Sequence, residues 1–132
     1  AEAGIRDPDH SLVGSEMCIR DRLDLARKVE KAMQLKGPRL IIALAPCPTG
    51  WDYDPRESAD IGKLAVSTGV WPLKEYVDGK VLHTKVPKQR QPVEDYLQKQ
   101  GRFAHLFAPQ RNEQLLQELQ NSVDSYWAEI EH

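Results

Sequence analysis

Apolar residues recur every three or four positions in several stretches of the chain, which predicts amphipathic helices. The first helix begins at Leu23 and ends before the Gly-Pro pair at residues 37–38. A second helix follows Asp54, which can cap it, and ends at Gly69. A short helix is predicted with Val93, Tyr96 and Leu97 facing inward and Gly101 at its end. A long helix runs nearly to the C-terminus with the apolar residues Leu115, Leu116, Leu119, Val123, Tyr126, Trp127 and Ile130.

Two other patterns predict strands. Residues 40–45, Leu-Ile-Ile-Ala-Leu-Ala, are an uninterrupted apolar run, which is typical of a parallel strand covered by helices on both faces. Such a strand needs parallel neighbours, and the chain does not obviously supply them. Residues 73–77 and 80–86 flank the pair Asp78 and Gly79, which predicts an antiparallel hairpin with a type I′ turn. The predicted fold class is therefore α/β, with a peripheral β-hairpin and C-terminal helices.

Residues 1–22 keep neither a helical nor a strand period, and we expect them to be unstructured and to carry no chemistry. The run at residues 14–22, Gly-Ser-Glu-Met-Cys-Ile-Arg-Asp-Arg, resembles the peptide encoded by a translated sequencing adapter. The alternative is a genuine flexible N-terminal arm. The chain is therefore predicted to divide into this segment and one domain at residues 23–132.

Composition excludes several classes of protein. A chain of 132 residues allows one domain of ordinary size. Eighteen Lys and Arg against twenty Asp and Glu give a formal net charge of -2, which argues against a nucleic-acid partner. No apolar run approaches the roughly 20 residues that cross a bilayer, and no signal-peptide pattern is present. We therefore expect a soluble, cytoplasmic chain with no membrane partner.

The candidates for chemistry are few, and no catalytic residue is predicted, because no phosphate-binding glycine loop, nucleophile elbow or His-Glu-x-x-His helix occurs. Cys47 is the best single residue, since open α/β sheets bind ligands just past the carboxyl ends of their strands. Its alternative role is that of a small buried apolar residue. His83 and His105 are more typical of packing or surface residues. A basic cluster could attract an anionic partner or CoA-like phosphates, or be a solvated loop: Lys85, Lys88 and Arg90.

Several ordered segments resemble the end of the thiamine-diphosphate-binding portion of pyruvate:ferredoxin oxidoreductases, which is the β subunit of the multisubunit forms. The first is Gly-Pro-Arg-Leu-Ile-Ile-Ala-Leu-Ala-Pro-Cys at residues 37–47. The second is Ile-Gly-Lys-Leu-Ala-Val-Ser-Thr-Gly-Val-Trp-Pro-Leu at residues 61–73. Further matches are Pro-Val-Glu-Asp-Tyr-Leu at residues 92–97 and Gln-Gly-Arg-Phe at residues 100–103. The resemblance covers residues 23–132.

The resemblance implies a C-terminal fragment of a parallel-sheet domain that binds thiamine diphosphate. The full-length enzyme of such a family decarboxylates pyruvate oxidatively to acetyl-CoA and CO2, and electrons pass through a 4Fe-4S cluster to ferredoxin or flavodoxin. Its partners would be the other subunits of the complex, with pyruvate and CoA as substrates. Two alternatives stay open. The first is a 2-oxoglutarate or branched-chain 2-oxoacid relative, and the second is a non-enzymatic α/β interaction module that docks through the helix with Trp127.

By the same resemblance, Cys47 is one of four thiolate ligands of the 4Fe-4S cluster nearest the thiamine. The family's other three cluster cysteines, and its Gly-Asp-Gly segment for magnesium and the diphosphate, have no counterpart in this sequence. We therefore expect a truncated β subunit that is inactive alone and binds neither thiamine diphosphate with Mg²⁺ nor a complete cluster. Apolar faces that have lost their sheet should be exposed, which predicts marginal stability or aggregation.

Overall fold

The structure is a computed structural model that describes residues 16–130, with side chains described from residue 23 onward. Two compact units divide the chain, Ala1–Gly37 and Pro38–His132. The elements are helices α1 (Glu16–Gln34), α2 (Pro48–Trp51) and α3 (Ser58–Ser67), strands β1 (Leu73–Val77) and β2 (Lys80–Lys85), and helices α4 (Val93–Gln98) and α5 (Glu113–Ala128). Short 3₁₀ helices cover Pro55–Glu57 and Gly101–Leu106.

Helix α1 begins at Glu16, earlier than the predicted start at Leu23. Residues 16–22 include the good helix formers Glu, Met and Arg, and this propensity allows the helix to begin earlier than the apolar period does. The remainder of the segment predicted to be unstructured, residues 1–15, lies outside the described residues. Neither α1 nor any other described helix is long and apolar enough to cross a membrane.

The predicted Asp54 cap and Gly69 stop are both found around helix α3, but Asp54 caps a 3₁₀ helix at Pro55–Glu57 and α3 itself begins only at Ser58. The Asp54 carboxylate accepts a hydrogen bond from the Arg56 backbone N–H at 2.9 Å, which caps the 3₁₀ helix that leads into α3. After α3 the chain turns at Gly69, whose φ of +81° lies in the left-handed region. Ile61 and Ala65 on α3 are fully buried, so the predicted apolar stripe faces the core.

The predicted hairpin is confirmed. Strands β1 and β2 pair antiparallel, with Val77 opposite Lys80 at the turn. Asp78 and Gly79 have φ values of +50° and +75°, as a type I′ turn requires. This hairpin is the one sheet within residues 16–130.

Residues 40–45 do not form the predicted parallel strand in this structure. They belong to no sheet, and the side chains of Leu40 and Ile42 are 84% and 71% exposed. The physical reason is that a parallel strand exists only when paired, and the described residues offer no strand beside this run. The α/β class therefore holds here as a mixture of helices with a two-stranded antiparallel sheet, without a parallel sheet.

The core of the second unit lies between α3, α4, α5 and the 3₁₀ helix that follows α4. Its buried members are Ile61, Ala65, Val93, Tyr96, Leu97, Leu106 and Leu116. Trp127 on α5 is fully buried as well, and its indole N–H donates to the carbonyl of Gly69 at 3.0 Å. A Cβ at Gly69 would overlap this indole, so residue 69 must be glycine for α5 to pack there.

Candidate functional site around Cys47

Cys47 stands where the apolar run meets the first turn of α2. Residues 44, 46 and 48 are half-buried, whereas residues 45, 47 and 49 are exposed, so the chain alternates inward and outward along this segment. Leu44 packs against the core and fixes the inward side. Cys47 therefore points outward as an exposed free thiol, and the alternative role of a small buried residue is wrong.

The turn that contains Cys47 provides a hydrogen bond to its exposed sulfur. Cys47 is the N-cap of α2, and its Sγ accepts a hydrogen bond from the Gly50 backbone N–H at 3.4 Å. A Cβ at Gly50 would lie 3.4 Å from Sγ, so the missing side chain at residue 50 leaves space beside the sulfur. The structure therefore presents the Cys47 sulfur at the surface, with one backbone N–H directed at it.

The turn that carries Cys47 docks on the segment after α4. The Gly101 N–H donates to the carbonyl oxygen of Asp52 at 2.7 Å, and a Cβ at Gly101 would overlap the Asp52 carboxylate. The Arg102 guanidinium lies over the Trp51 ring at 4.0 Å from its centroid, and over the Phe103 ring at 4.6 Å. These contacts join two segments that are far apart in sequence.

Arg102 is in turn anchored to buried polar groups. Its Nε donates to Gln100 Oε1 at 2.8 Å. Gln100 is 1% exposed, and its Nε2 donates to the Tyr96 carbonyl oxygen at 2.6 Å. Because the Gln100 amide is satisfied at both ends, it is held in place and holds Arg102 with it.

The acidic residue after the turn is ionised at neutral pH. Hydrogen bonds from the Arg56 side chain and backbone hold the pKa of the Asp54 carboxyl below its usual range. The carboxylate is thereby engaged in capping the 3₁₀ helix and in pairing with Arg56.

No group of three or more His, Cys, Asp and Glu side chains within the described part of the chain is close enough to hold a metal ion. Cys47 offers one thiolate. Cys18 lies in α1 at a position whose side chain is outside the described residues.

His83 is half-buried and packs in a cluster with side chains of α5. Its Nε2 lies 2.8 Å from the Tyr126 hydroxyl, and the Lys74 ammonium donates to the same hydroxyl at 3.1 Å. The His83 ring also lies 5.5 Å from the Trp127 ring. This cluster was not predicted from the sequence, because its members come from three elements. His105 is exposed in the 3₁₀ helix after α4.

Two of the three predicted basic residues line one open groove of about 610 Å³, namely Lys88 and Arg90. Arg90 Nε lies 3.8 Å from an Asp124 carboxylate oxygen in the same groove, and the Arg90 guanidinium lies 5.8 Å from the Trp127 ring centroid. Arg90 therefore serves packing and pairing with α5. Lys85 ends strand β2.

Known proteins similar to this chain are named as subunits of pyruvate synthase or of ketoisovalerate oxidoreductase. No family model matches it. It is 43% identical over 101 residues to the pyruvate synthase subunit PorB of Methanosarcina barkeri, a stretch that covers 76% of this chain and 34% of that relative. It is 46% identical over 89 residues to PorB of Methanocaldococcus jannaschii, covering 67% and 30%. It is 42% identical over 85 residues to the ketoisovalerate oxidoreductase subunit VorB of Pyrococcus furiosus, covering 63% and 27%.

The chain spans about a third of the length of the curated relatives that it matches. The resemblance inferred from its ordered sequence motifs is thereby confirmed.

Proposed function

Because this chain is related in sequence to the PorB subunits of pyruvate synthases, we propose that it is the C-terminal part of a 2-oxoacid:ferredoxin oxidoreductase β subunit. The whole protein would oxidise pyruvate to acetyl-CoA and CO2, with thiamine diphosphate, Mg²⁺ and a 4Fe-4S cluster as cofactors. Its partners would be the other subunits of the complex and a ferredoxin or flavodoxin. The similarity to PorB over most of this chain is the observation that carries the proposal.

Within this function Cys47 is proposed as a cluster ligand. Clusters of this type are held by four cysteine thiolates and supply one-electron transfer. The exposed Cys47 thiol and the Gly50 N–H directed at its sulfur fit such a role. Because the described residues provide one thiolate, the other three would come from elsewhere in the β subunit.

Residues 40–45 are proposed to be a strand of the β-subunit sheet. Their apolar side chains are exposed here, Leu40 at 84% and Ile42 at 71%, which is unfavourable for a run that faces water. Pairing with parallel strands from the rest of the subunit would satisfy the backbone groups of the run, and helices packed on that sheet would cover both of its faces. It would also fix the backbone just before Cys47.

The substrate is proposed to be pyruvate rather than a branched-chain 2-oxoacid, since several similar proteins are pyruvate synthase subunits. The similarity to VorB keeps the branched-chain acid as the second candidate. Activity of the complete complex with pyruvate and with ketoisovalerate separates the two candidates. The interaction-module alternative has less support, because Trp127 is fully buried inside this chain and is not available for docking.

The test of the ligand assignment is Cys47→Ser in the complete β subunit assembled with its partner subunits. We expect this variant to lose or destabilise the 4Fe-4S cluster that is nearest the thiamine, measured by electron paramagnetic resonance of the reduced complex. Bound thiamine diphosphate should stay near one per subunit, while ferredoxin reduction stops.

Thr49→Ala is the matched control, since Thr49 is an exposed neighbour in the same turn. It should leave the cluster spectrum and ferredoxin reduction unchanged. A normal cluster spectrum with normal ferredoxin reduction in Cys47→Ser would refute the assignment of Cys47.

A further inference from the structure

The turn that carries Cys47 is held together by backbone hydrogen bonds among its own residues, so that it moves as a rigid unit. The Trp51 N–H donates to the Cys47 carbonyl oxygen at 2.9 Å, and the Tyr53 N–H donates to the Pro48 carbonyl oxygen at 3.2 Å. The Asp52 N–H also donates to the Pro48 carbonyl oxygen. Because these bonds join Cys47 to Trp51 within one helical turn, a displacement of Trp51 displaces the sulfur as well.

Trp51 is the side chain by which this turn contacts Arg102. The planar guanidinium lies 4.0 Å from the ring centroid, which is close stacking for a cation over an indole. Arg102 lies against the Phe103 ring as well and is tied through its Nε to the buried Gln100. The contact on Trp51 is therefore made by a group that is itself held by the core.

We propose that Arg102 is a positioning residue for Cys47: by holding Trp51, it keeps the closed turn, and with it the thiolate, in one orientation. This inference rests on the proposed function of Cys47 as a cluster ligand. A ligand held by a fixed second layer of contacts binds its metal in a defined geometry and sets its redox properties. Gly101 assists, because its N–H bonds the Asp52 carbonyl oxygen and its missing Cβ admits the Asp52 carboxylate.

The first test measures the turn itself, by amide hydrogen exchange of the peptide covering residues 47–53 in this chain. Arg102→Ala should raise its exchange rate roughly two- to fivefold, as expected for loss of an exposed cation–π contact. Arg102→Lys, which keeps the charge but loses the planar fork, should fall between Arg102→Ala and the unchanged chain. The peptide from α5 should exchange at the original rate in both variants, which shows that the core stays folded.

Arg111→Ala is the matched control. Arg111 is also exposed, and its guanidinium contacts the Phe107 ring, at 6.0 Å from the centroid, and pairs with Glu94 and Glu113 instead of contacting Trp51. Its removal should leave exchange at residues 47–53 unchanged. Unchanged exchange in Arg102→Ala would overturn the proposal, and so would an equal increase in Arg111→Ala.

The second test measures the ligand, in the complete β subunit assembled with its partner subunits. Arg102→Ala should retain the cluster and shift its midpoint potential. Arg102→Lys should also shift it, which separates a change of geometry from the loss of a charge. Faster exchange with an unchanged potential would overturn the positioning role. If Cys47→Ser instead kept its cluster, the proposed ligand would fail, while the exchange measurement would still decide whether Arg102 holds the turn.

Discussion

The Tyr126 hydroxyl is shared by two side chains of the hairpin. It accepts a hydrogen bond from the Lys74 ammonium, and this contact raises the pKa of Lys74, so the lysine stays charged. The hydroxyl is then free to donate its proton to His83 Nε2, which must be unprotonated to accept it. Burial, followed by the Lys74 charge, lowers the pKa of His83 and favours this neutral form. One hydroxyl therefore links Lys74 and His83 of the hairpin to Tyr126 of α5.

Replacing Tyr126 with Phe removes that hydroxyl and leaves the ring in place. We expect a loss of about 1 to 2 kcal/mol in the free energy of unfolding, because two hydrogen bonds are lost and one of them is charge-assisted. Urea unfolding followed by far-ultraviolet circular dichroism measures it. Ser122→Ala, an exposed change on the same helix, should stay within about 0.5 kcal/mol of the original chain. A loss in Tyr126→Phe no larger than in Ser122→Ala would contradict the shared hydroxyl.

The attachment of the hairpin to α5 predicts a dependence of stability on pH. Since the folded-state pKa of His83 lies below its unfolded value of about 6.5, folding favours neutral His83. Its contribution is fully present above the unfolded pKa and is lost as the pH falls through that value toward the folded pKa. Urea unfolding between about pH 7.5 and 5 should show this loss, and His83→Gln should show a smaller one.

The carboxyl groups that pair with arginines change stability only at lower pH. They therefore do not mask the change in stability that protonation of His83 causes. Asp54 and Glu94 have pKa values lowered by Arg56 and Arg111, so their contributions are lost below their unfolded values of about 4. Equal pH profiles for the original chain and His83→Gln above pH 5 would show that His83 does not link protonation to folding.

Elements specified by local residues were predictable from the sequence. The hairpin follows from Asp78 and Gly79, whose positive φ values the turn requires, and α3 follows from its Asp54 cap and Gly69 stop. Residues 40–45 were predicted as a strand from their apolar run, yet a parallel strand depends on partners that this run cannot specify. Propensity alone therefore does not decide the conformation of this segment.

The candidate site divides in the same way. The position of Cys47 after the apolar run was visible in the sequence, and its exposure agrees with a ligand. The docking of its turn on Gly101 and Arg102 was not, because contacts between distant segments leave no period or spacing in the sequence. The sequence hints at this contact through residue types alone. The Gly-Arg-Phe run supplies a small residue and a cation, and the Trp-Asp pair supplies an aromatic ring and a carboxylate that they can contact.

Across the second unit, large apolar side chains are exposed both in the run just before the site and around the hairpin, where Tyr76, Val81, Leu82 and Val86 are exposed. Leu40, Ile41 and Ile42 are all exposed, whereas most apolar residues of α3 and α4 are buried or half-buried. Contiguous exposed apolar side chains favour association, and an unpaired run of strand-forming residues adds backbone groups that can pair with another copy. The chain by itself should therefore associate in solution through residues 40–42.

Leu40→Lys combined with Ile42→Lys tests this surface, since two charges in the run oppose pairing between copies without touching the core. Sedimentation velocity over a range of concentrations should show less association for this double variant than for the original chain. Met33→Lys, which changes a 75% exposed residue on α1, is the control and should retain the association. Association that persists in the double variant but disappears in Met33→Lys would assign the contact to α1. The exposure of this run would then no longer support the proposal that residues 40–45 pair with other strands.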